Sequence, residues 1–546
     1  MKQIIQISMR VGMTMLCCLP LLVRAESIPS TLTPGILVNT SLEPVAAGKF
    51  QPTWESLKQY QTPEWFRDAK FGIWAHWGAQ CQPEDGDWYA RNMYEVGSSQ
   101  YRFQTNHYGS PLEFGFKDVI HSWKAEHWDP EKLMALYKRA GAQYFFALAN
   151  HHDNFDNWDS KYQPWNSVAI GPHQDLIGGW AKAARDNGLR FGVSVHAAHA
   201  WTWYEPSQDF DGKLTKADGA GKWWAGLDPQ DLYAQNHPRS ASGNVSRLWN
   251  WDNGATPPSQ AYCDKFYNRT MDLINRYHPD LIYFDDTALP LWPVSDAGLK
   301  IAAHFYNVNI QRHGTNDDGV LFGKILDADQ QQCMAWDIER GVSPTILPHP
   351  WQTDTCIGGW HYSRSLYDHN GYKSAQTVIH MLADIVSKNG NLLLNIPVRG
   401  DGTIDEKEFA IVSRIADWMD INKEAIFATR PWKVFGEGPA STGAALSAQG
   451  FNEGKGKPTA AADFRFTTKG NVIYAIELGW PTNSVPIKSF GKSSAGLEVP
   501  IQKIELLGSD EKVEWSQAAA ALTISAPKNK PSDIAIVYKI TTKPAR

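Results

Sequence analysis

Apolar segments of strand length recur along most of the chain, and polar or charged residues stand at their ends. Six segments have this form: 71–77, 143–150, 190–195, 281–284, 320–324 and 391–397. Helical patterns lie between them. The pattern at 175–187 begins after the N-cap residue Asp175 and ends before Gly188. Strands that alternate with helices in this way predict an α/β fold with a parallel (β/α)8 barrel.

The pattern changes near Thr429. Beyond it, short alternating segments at 471–478, 501–507 and 534–540 are separated by Gly, Ser, Pro and Lys, which is typical of an antiparallel β-sandwich. Residues 26–53 are rich in Pro, Ser, Thr and Gly without periodicity, and predict an extended leader. The chain is therefore divided into this leader, a barrel at 54–428 and a C-terminal β-sandwich at 429–546.

The first 25 residues have the features of an export signal. Lys2 and Arg10 precede an apolar segment at 11–23, and the segment 23–25 resembles a cleavage site. The apolar segment is too short for a membrane span. We expect cleavage after Ala25 and a periplasmic or extracellular protein. Lipid attachment at Cys17 or Cys18 is less favoured, because Leu16 is a poor fit before such a cysteine.

Composition narrows the function. The net charge of −6 and the pI of about 6.3, without a basic block, argue against nucleic acid or an anionic membrane as partner. The chain contains 24 Trp, 20 Tyr and 22 Phe residues, whose flat rings suit sugars as well as cores. Four widely spaced cysteines remain after the signal, and their pairing cannot be deduced from the sequence.

Candidate site residues lie at the ends of the predicted strands: His76, Trp77, His151, His152, His196, Asp285 and Lys324. The carboxyl ends of barrel strands share one face, where active sites form. Imidazoles there can bond sugar hydroxyls, Trp77 and Trp88 can stack on a sugar, and Lys324 can bind a hydroxyl or lower a carboxyl pKa. Any one of these residues could instead be structural, but together they predict a site.

Hydrolysis of a glycosidic bond needs two carboxyl groups. Asp285 is the candidate for the first, although an aspartate in this position can also cap a helix. Glu339 is the candidate for the second, with Asp337 and Asp354 as rivals, and it could instead form a surface ion pair with Arg340.

Two other classes of function remain open from the residues alone. His151 and His152, with His196 or His199, could bind zinc in a metallohydrolase, but no tight ligand motif supports this. A degenerate barrel could also bind sugar without cleaving it. The pair of candidate carboxylates argues against that alternative.

Several blocks of sequence, in order, resemble the α-L-fucosidases of glycoside hydrolase family 29 over about residues 54 to 540. The resemblance is carried by 65–78, the Asp87-Trp88-Tyr89 step, 150–153 with Phe155 and 158–160, 189–193, 281–285 and 390–395. It implies a barrel followed by a β-sandwich, and an exo-glycosidase that retains the anomeric configuration without any metal or cofactor.

The resemblance also implies roles. Asp285 falls on the family's nucleophile and Glu339 on the acid/base of several members, and retention requires their carboxyl groups to lie about 5–5.5 Å apart. The residues expected to bind the sugar are His76, Trp77, Asp87, Trp88, His151, His152, His196, Lys324 and Trp351. The expected partner is a fucosylated glycan.

Four residues depart from the family pattern: Asp87 in place of glutamate, Asp286 in place of glycine, Ser194 in place of tyrosine and Gln352 in place of glutamate. The first and third alter the surroundings of the sugar, so a fucose relative such as L-galactose is an alternative substrate. The fourth removes one competitor for the acid role and favours Glu339.

Overall fold

The computed structural model describes residues 27–244, 249, 251, 253–314, 318–441, 450–494 and 499–544. The predicted export signal lies outside them. The first domain is a closed barrel of eight parallel strands in sequence order, with β1 paired to both β2 and β8. Its strands are β1 Phe71–Ala75, β2 Tyr144–Asn150, β3 Arg190–Val195, β4 Leu281–Phe284, β5 Val320–Gly323, β6 Ala335–Asp337, β7 Trp351–Cys356 and β8 Gly390–Asn395.

Helices surround the barrel, and short helices also lie in the segments that connect its strands. The α-helices are Trp54–Leu57, Glu64–Ala69, Tyr89–Asn92, Ser99–His107, Phe116–Ser122, Pro130–Arg139, Leu176–Asp186, Ala200–Trp203, Pro229–Tyr233, Gln260–Tyr277, Ala297–His313, Arg364–Asp368, Ala375–Ser387 and Glu406–Asn422. Short 3₁₀ turns lie at Ala79–Cys81, Ala197–His199, Glu205–Asp209, Asp211–Lys213, Lys216–Gly219, Gln330–Gln332, Lys423–Ala425, Pro439–Ser441 and Lys488–Phe490.

The predicted fold class is confirmed. The side chain of Asp175 caps its helix by accepting from the Gly178 N–H, and Asp405 forms a capping box with Glu408. Strands β6 and β7 were not predicted. Glu339, which was expected in a loop, lies in a turn two residues after β6.

The leader crosses the outside of the barrel without regular helix or strand. Ile28, Val38 and Phe50 are buried there. The Val38 N–H donates to Asp296 and the Phe50 N–H to Asn307, at 2.9 and 3.0 Å. The leader is therefore attached to the barrel along its length.

The C-terminal domain contains two antiparallel sheets. Five strands pair in the order β13-β16-β11-β10-β9, and three in the order β12-β15-β14. Their bounds are β9 Arg430–Glu437, β10 Phe464–Lys469, β11 Val472–Glu477, β12 Val485–Ile487, β13 Ile501–Leu506, β14 Trp515–Gln517, β15 Leu522–Ile524 and β16 Ile536–Thr542.

The barrel and the C-terminal domain share a hydrophobic core. Ile476, Leu478 and Val537 pack in the same buried cluster as the barrel helices. The Trp418 indole donates to the Ala535 carbonyl at 3.0 Å, and His380 contacts the Ile534 carbonyl at 2.9 Å. This contact surface is therefore apolar with buried hydrogen bonds.

In the part of the chain that the structure describes, no helix combines the length and the apolar character needed to cross a bilayer. The four cysteines of that part are buried and unpaired: Cys81, Cys263, Cys333 and Cys356.

Candidate active site

Asp285 occupies the carboxyl end of β4 and is the centre of a hydrogen-bond network. His152 Nε2 and His196 Nδ1 lie 3.0 and 3.1 Å from its Oδ2, and the Lys324 ammonium donates to its Oδ1. His152 Nδ1 donates to the His196 carbonyl at 2.7 Å, which fixes the orientation of the His152 ring. The ends of β2, β3 and β5 thus each aim one residue at the carboxylate that follows β4.

These neighbours keep Asp285 ionised. Burial by itself would raise the pKa of Asp285, but the Lys324 charge and the hydrogen bonds of His152 and His196 hold it well below its ordinary value. For the imidazole of His196, burial acts in the opposite direction and lowers the pKa to about 4. A carboxylate aimed into a pocket and free of its proton can act as a nucleophile.

Glu339 follows β6 by two residues and meets the same lysine. Its Oε2 accepts from Lys324 Nζ at 2.5 Å. Because one ammonium bonds both carboxyl groups, the facing oxygens of Asp285 and Glu339 are within two hydrogen-bond lengths, about 6 Å at most.

The proton affinities of these two carboxyl groups diverge. Burial and the charge of Asp285 raise the pKa of Glu339, and Lys324 only partly offsets them. Burial would lower the pKa of Lys324, but the two carboxylates raise it well above its ordinary value, so it remains a cation. One carboxyl group with a lowered pKa beside one with a raised pKa is a typical division of labour in glycoside hydrolysis.

The two rival carboxyl groups lie deeper in the barrel. Asp337 accepts from the Gln352 amide at 2.9 Å and Asp354 from the Tyr283 hydroxyl at 2.8 Å. Both residues are 1% exposed, whereas the side chain of Glu339 is 17% exposed. Burial raises the pKa of Asp354 to about 7, with a contribution from Glu339, and raises that of Asp337 well above its ordinary value. Glu339 is therefore more accessible to a substrate than Asp337 and Asp354, which favours it as the second carboxyl group.

Imidazoles cluster beside Asp285. His76, His151 and His361 form a triangle with ring centroids 4.8 to 5.1 Å apart, and His196 lies 5.0 Å from His76. Both ring nitrogens of His76 and His361, and Nε2 of His196, are buried without a hydrogen-bond partner. Buried nitrogens of this kind can hydrogen-bond the hydroxyl groups of a ligand.

Two sets of these imidazoles could hold a metal ion by distance: His76 with His151 and His361, and His151 with His152 and His196, whose nitrogens lie within 4.8 Å of one another. In the second set, His152 and His196 already contact Asp285. His199, the other candidate from the sequence, bonds Asp286 at 3.1 Å and stacks between Trp249 and Trp251, away from the cluster. Both ring nitrogens of His76 and His361 in the first set, and Nε2 of His196 in the second, have no hydrogen-bond partner within the described part of the chain.

Aromatic side chains border the same pocket. Trp88 is half-buried, has a φ of +63° and lies 5.9 Å from Trp203 and 6.5 Å from the parallel ring of Trp249. Trp249 in turn lies 4.9 Å from the His152 ring. A bulky residue in the left-handed region is strained, which is common at ligand sites.

Two of the predicted sugar-binding residues, Trp77 and Trp351, do not reach the pocket. Trp77 points outward because it alternates with His76, and it packs on Trp123 while its indole donates to the Arg399 carbonyl. Trp351 begins β7 and so lies at the opposite end of the barrel, bonded to the Lys388 carbonyl. Asp87, in contrast, borders the cluster: its carboxylate accepts from the backbone N–H of His361 at 2.6 Å and lies 3.5 Å from the ring nitrogen Nδ1 of the same residue.

The structure adds residues that the sequence did not single out. His361 and Trp360 follow β7, at the same face of the barrel as the other strand ends, and Trp360 lies 5.7 Å from His76. Gln80 contacts His151 Nδ1 at 2.7 Å and Asp153 at 3.1 Å. Recognition of β7 as a strand would have pointed to His361.

A closed parallel barrel with two facing carboxyl groups and a cluster of imidazoles at its carboxyl end defines a glycoside hydrolase of the (β/α)8 class. The family model for the alpha-L-fucosidases matches residues 37–424, and the model for the alpha-L-fucosidase C-terminal domain matches residues 457–541. The chain belongs to the α-L-fucosidase family, and the predicted enzyme class is confirmed.

Individual relatives agree with the family. The human tissue α-L-fucosidase is 28% identical over 512 residues, which cover 91% of each chain. The human plasma α-L-fucosidase is 25% identical over 481 residues, 86% of each chain. The crystal structure of the Thermotoga maritima α-fucosidase superposes with a TM-score of 0.66 at 26% identity, and covers 90% of this chain and 100% of that one.

Proposed function

We propose that this α-L-fucosidase removes terminal α-L-fucosyl residues from glycans by double displacement, with retention of the anomeric configuration. Asp285 is the nucleophile and Glu339 the acid/base. The observation that carries the proposal is the shared contact of both carboxyl groups with Lys324. A gap of about 6.5–9.5 Å, which an inverting enzyme needs for its water, does not fit this contact.

In the first step, an oxygen of Asp285 attacks the anomeric carbon and the glycosidic C–O bond breaks. The proton of Glu339 passes to the departing oxygen, so that the aglycone leaves as an alcohol. The product is a fucosyl ester of Asp285, with Glu339 as a carboxylate. Lys324, which contacts both groups, remains in place to balance the charge that moves from one to the other.

In the second step, the Glu339 carboxylate takes a proton from water, and the water oxygen attacks the anomeric carbon. The ester C–O bond breaks and returns Asp285 as a carboxylate. The contacts with His152, His196 and Lys324 stabilise this departing group because they favour its charged form.

The imidazole cluster is proposed to bind the sugar hydroxyls. His76, His151 and His361 present nitrogens that can donate or accept according to their tautomer, which suits the hydroxyl group. Burial lowers the pKa of His76 and His151 well below the ordinary value, so these rings are neutral and keep both capacities. Trp88 is placed to stack on an apolar face of the sugar.

Azide rescue tests the two roles separately. Asp285→Ala should abolish turnover of 4-nitrophenyl α-L-fucoside, and azide should then give the fucosyl azide of inverted configuration by a single displacement. Glu339→Ala should keep the ester intermediate, and azide should give the azide of retained configuration. NMR of the products distinguishes the two. Unimpaired turnover by Asp285→Ala would remove Asp285 from the mechanism.

The preferred sugar is part of the proposal. We propose fucose rather than L-galactose, because the chain belongs to the α-L-fucosidase family. The ratio of kcat/KM for the 4-nitrophenyl glycosides of the two sugars tests this. A higher value for the L-galactoside would reverse the assignment, and no turnover of either would favour a non-catalytic sugar-binding protein.

Export is also proposed, on the charged, apolar and cleavage-site segments of residues 1–25. The mature protein would begin at Glu26 and act in the periplasm or outside the cell. N-terminal sequencing of the protein purified from its source, together with cell fractionation, tests this. An intact Met1 in cytoplasmic protein would contradict it.

A further inference from the structure

The loop that carries Glu339 is held by a segment from beyond the barrel. This segment, residues 450–453, lies between β9 and β10 of the C-terminal domain and is called the clamp segment here. The Phe451 N–H donates to the Glu339 carbonyl at 2.8 Å, and the Glu453 N–H donates to the Arg340 carbonyl at 2.9 Å. The backbone of Glu339 is thus bonded directly to the C-terminal domain.

Asn452 secures the same loop with its side chain. Its Oδ1 accepts from the Val342 N–H at 2.8 Å and its Nδ2 donates to the Val342 carbonyl at 3.0 Å. Gly450 has a φ of +98°, and a Cβ there would lie 2.5 Å from the Glu339 carbonyl oxygen. Only glycine allows this close approach of the two backbones.

Glu453 joins the loop to the neighbouring strand. Its carboxylate lies 3.2 Å from Arg340 Nε, 2.9 Å from Lys373 Nζ and 3.0 Å from the Thr355 hydroxyl of β7. The side chain is 14% exposed, so these contacts are shielded from water. Arg340 follows Glu339 directly, and its N–H donates to the Asp354 carbonyl of β7 at 2.9 Å.

We infer that Asn452 and Glu453 are positioning residues for the acid/base, and that the C-terminal domain therefore completes the active site. The inference rests on the proposed role of Glu339. The clamp segment bonds the backbone of Glu339 and of the residues that follow it, whereas the side-chain partners of Asp285 are the barrel residues His152, His196 and Lys324. Loss of the clamp should therefore disturb proton transfer to the leaving group and leave the nucleophile in place.

Glu453→Gln tests the inference, because it keeps the shape of the side chain and removes the charge. We expect kcat/KM for a fucosyl disaccharide, whose leaving alcohol needs a proton, to fall by about 10- to 100-fold, the effect of a small misplacement of a catalytic group. The fall for 4-nitrophenyl α-L-fucoside should be smaller, because nitrophenolate leaves without a proton. KM should change little. The Asn452→Ala variant should show the same larger loss on the disaccharide.

Glu437→Gln is the matched control. Glu437 is also a carboxylate of the C-terminal domain that holds a loop, but its partners, the N–H groups of Lys488 and Ser489 at 2.8 and 2.7 Å, belong to the C-terminal domain and not to the barrel site. Thermal unfolding of both variants corrects for stability. The control should keep the wild-type ratio between the two substrates.

Each outcome is informative. Equal losses on the two substrates, an effect confined to KM, or wild-type rates in Glu453→Gln and Asn452→Ala would each overturn the positioning role. Glu339→Ala is measured in parallel. If Glu339→Ala loses the same activity on both substrates, Glu339 is not the acid. If Glu339→Ala loses more on the disaccharide and the Asn452 and Glu453 variants do not, only their positioning role is excluded.

Discussion

Lys324 acts on the pKa of both catalytic carboxyl groups in the same direction. It lowers the pKa of Asp285 and also opposes the rise in the pKa of Glu339. Without it, both carboxyl groups would hold their protons to higher pH. The lysine therefore helps, together with His152 and His196, to keep the nucleophile charged.

The Lys324→Ala variant should accordingly lose about 10²- to 10³-fold in kcat. The acid side of its kcat/KM profile should move to higher pH, because the pKa of Asp285 rises. Lys324→Arg keeps the charge and should retain the acid limb of the wild type. An unshifted acid limb in Lys324→Ala would show that another group holds the pKa of Asp285 down.

The raised pKa of Glu339 predicts the basic limb of the pH–activity profile. Glu339 must carry a proton for the first step, and burial raises its pKa from the ordinary value. Activity should therefore fall as pH rises through this raised pKa, and Glu339→Ala should lose that basic limb with 4-nitrophenyl α-L-fucoside. A basic limb that survives the substitution would have to be assigned to a different group.

His361 was missed from the sequence, and its role can be measured. His361→Ala should raise KM by about 2- to 10-fold, the loss of one neutral hydrogen bond to the sugar, with a smaller change in kcat. Asp87→Asn should have a weaker effect in the same direction, because Asp87 acts on the pocket through His361. If Asp87→Asn exceeded His361→Ala, direct contact of residue 87 with the sugar would be indicated instead.

At the scale of single residues, the sequence predicted those whose position follows from a strand end. His76, His151, His152, His196, Asp285 and Lys324 meet because the carboxyl ends of barrel strands share a face. Trp77 and Trp351 were misplaced for reasons of geometry: neighbouring residues of a strand face opposite sides, and the first residue of a strand lies far from its last. The local sequence did not indicate which way the side chain of Asp87 points.

At the scale of elements, apolar strands were predictable and polar strands were not. Strand β4 reads Leu-Ile-Tyr-Phe, while β7 reads Trp-Gln-Thr-Asp-Thr-Cys and yet is fully buried. Its polar side chains are satisfied inside the barrel, for example Gln352 by the Tyr144 hydroxyl at 2.9 Å. A polar strand interior depends on partners from distant parts of the chain, which hydrophobic patterning does not reveal.

Strand β11 carries a titratable group that should govern stability. Glu477 is fully buried, and burial raises its pKa to about 8. The folded protein then binds this proton more tightly than the unfolded chain, so the free energy of unfolding should decrease as pH rises from about 4.5 to 8.

Glu477→Gln should remove that decrease. At pH 9 the variant should be more stable than the wild type, by on the order of a few kcal/mol, and near pH 4 the two should be equal. Thermal unfolding across this range provides the measurement. Glu505→Gln, on the partly exposed Glu505 of β13, is the control and should leave the pH dependence unchanged. Parallel curves for wild type and Glu477→Gln would refute the assignment.

At the scale of the whole molecule, the barrel and the C-terminal domain behave as one structural unit. They share buried residues such as Ile476 and Val537, and hydrogen bonds from Trp418 and His380 cross between them. The change in hydrophobic pattern near Thr429 predicted two domains of different architecture. It could not show how much apolar surface the two domains share.

A chain that ends at residue 428 should therefore be poorly soluble, since it would expose the apolar surface that the C-terminal domain covers. Size-exclusion chromatography and circular dichroism of this fragment, beside the full chain, test the expectation. A soluble, monomeric and cooperatively folding fragment would show that the barrel does not depend on the second domain for stability.

The clamp segment has a practical meaning for anyone who recombines these enzymes. An engineer guided by architecture would join the barrel of one parent to the sandwich of another near residue 429. Such a hybrid would receive residues 450–453 from the wrong parent, and the hydrogen bonds to Glu339, Arg340 and Val342 would meet a foreign partner. A crossover placed after Glu453 keeps the general acid with the backbone that supports it.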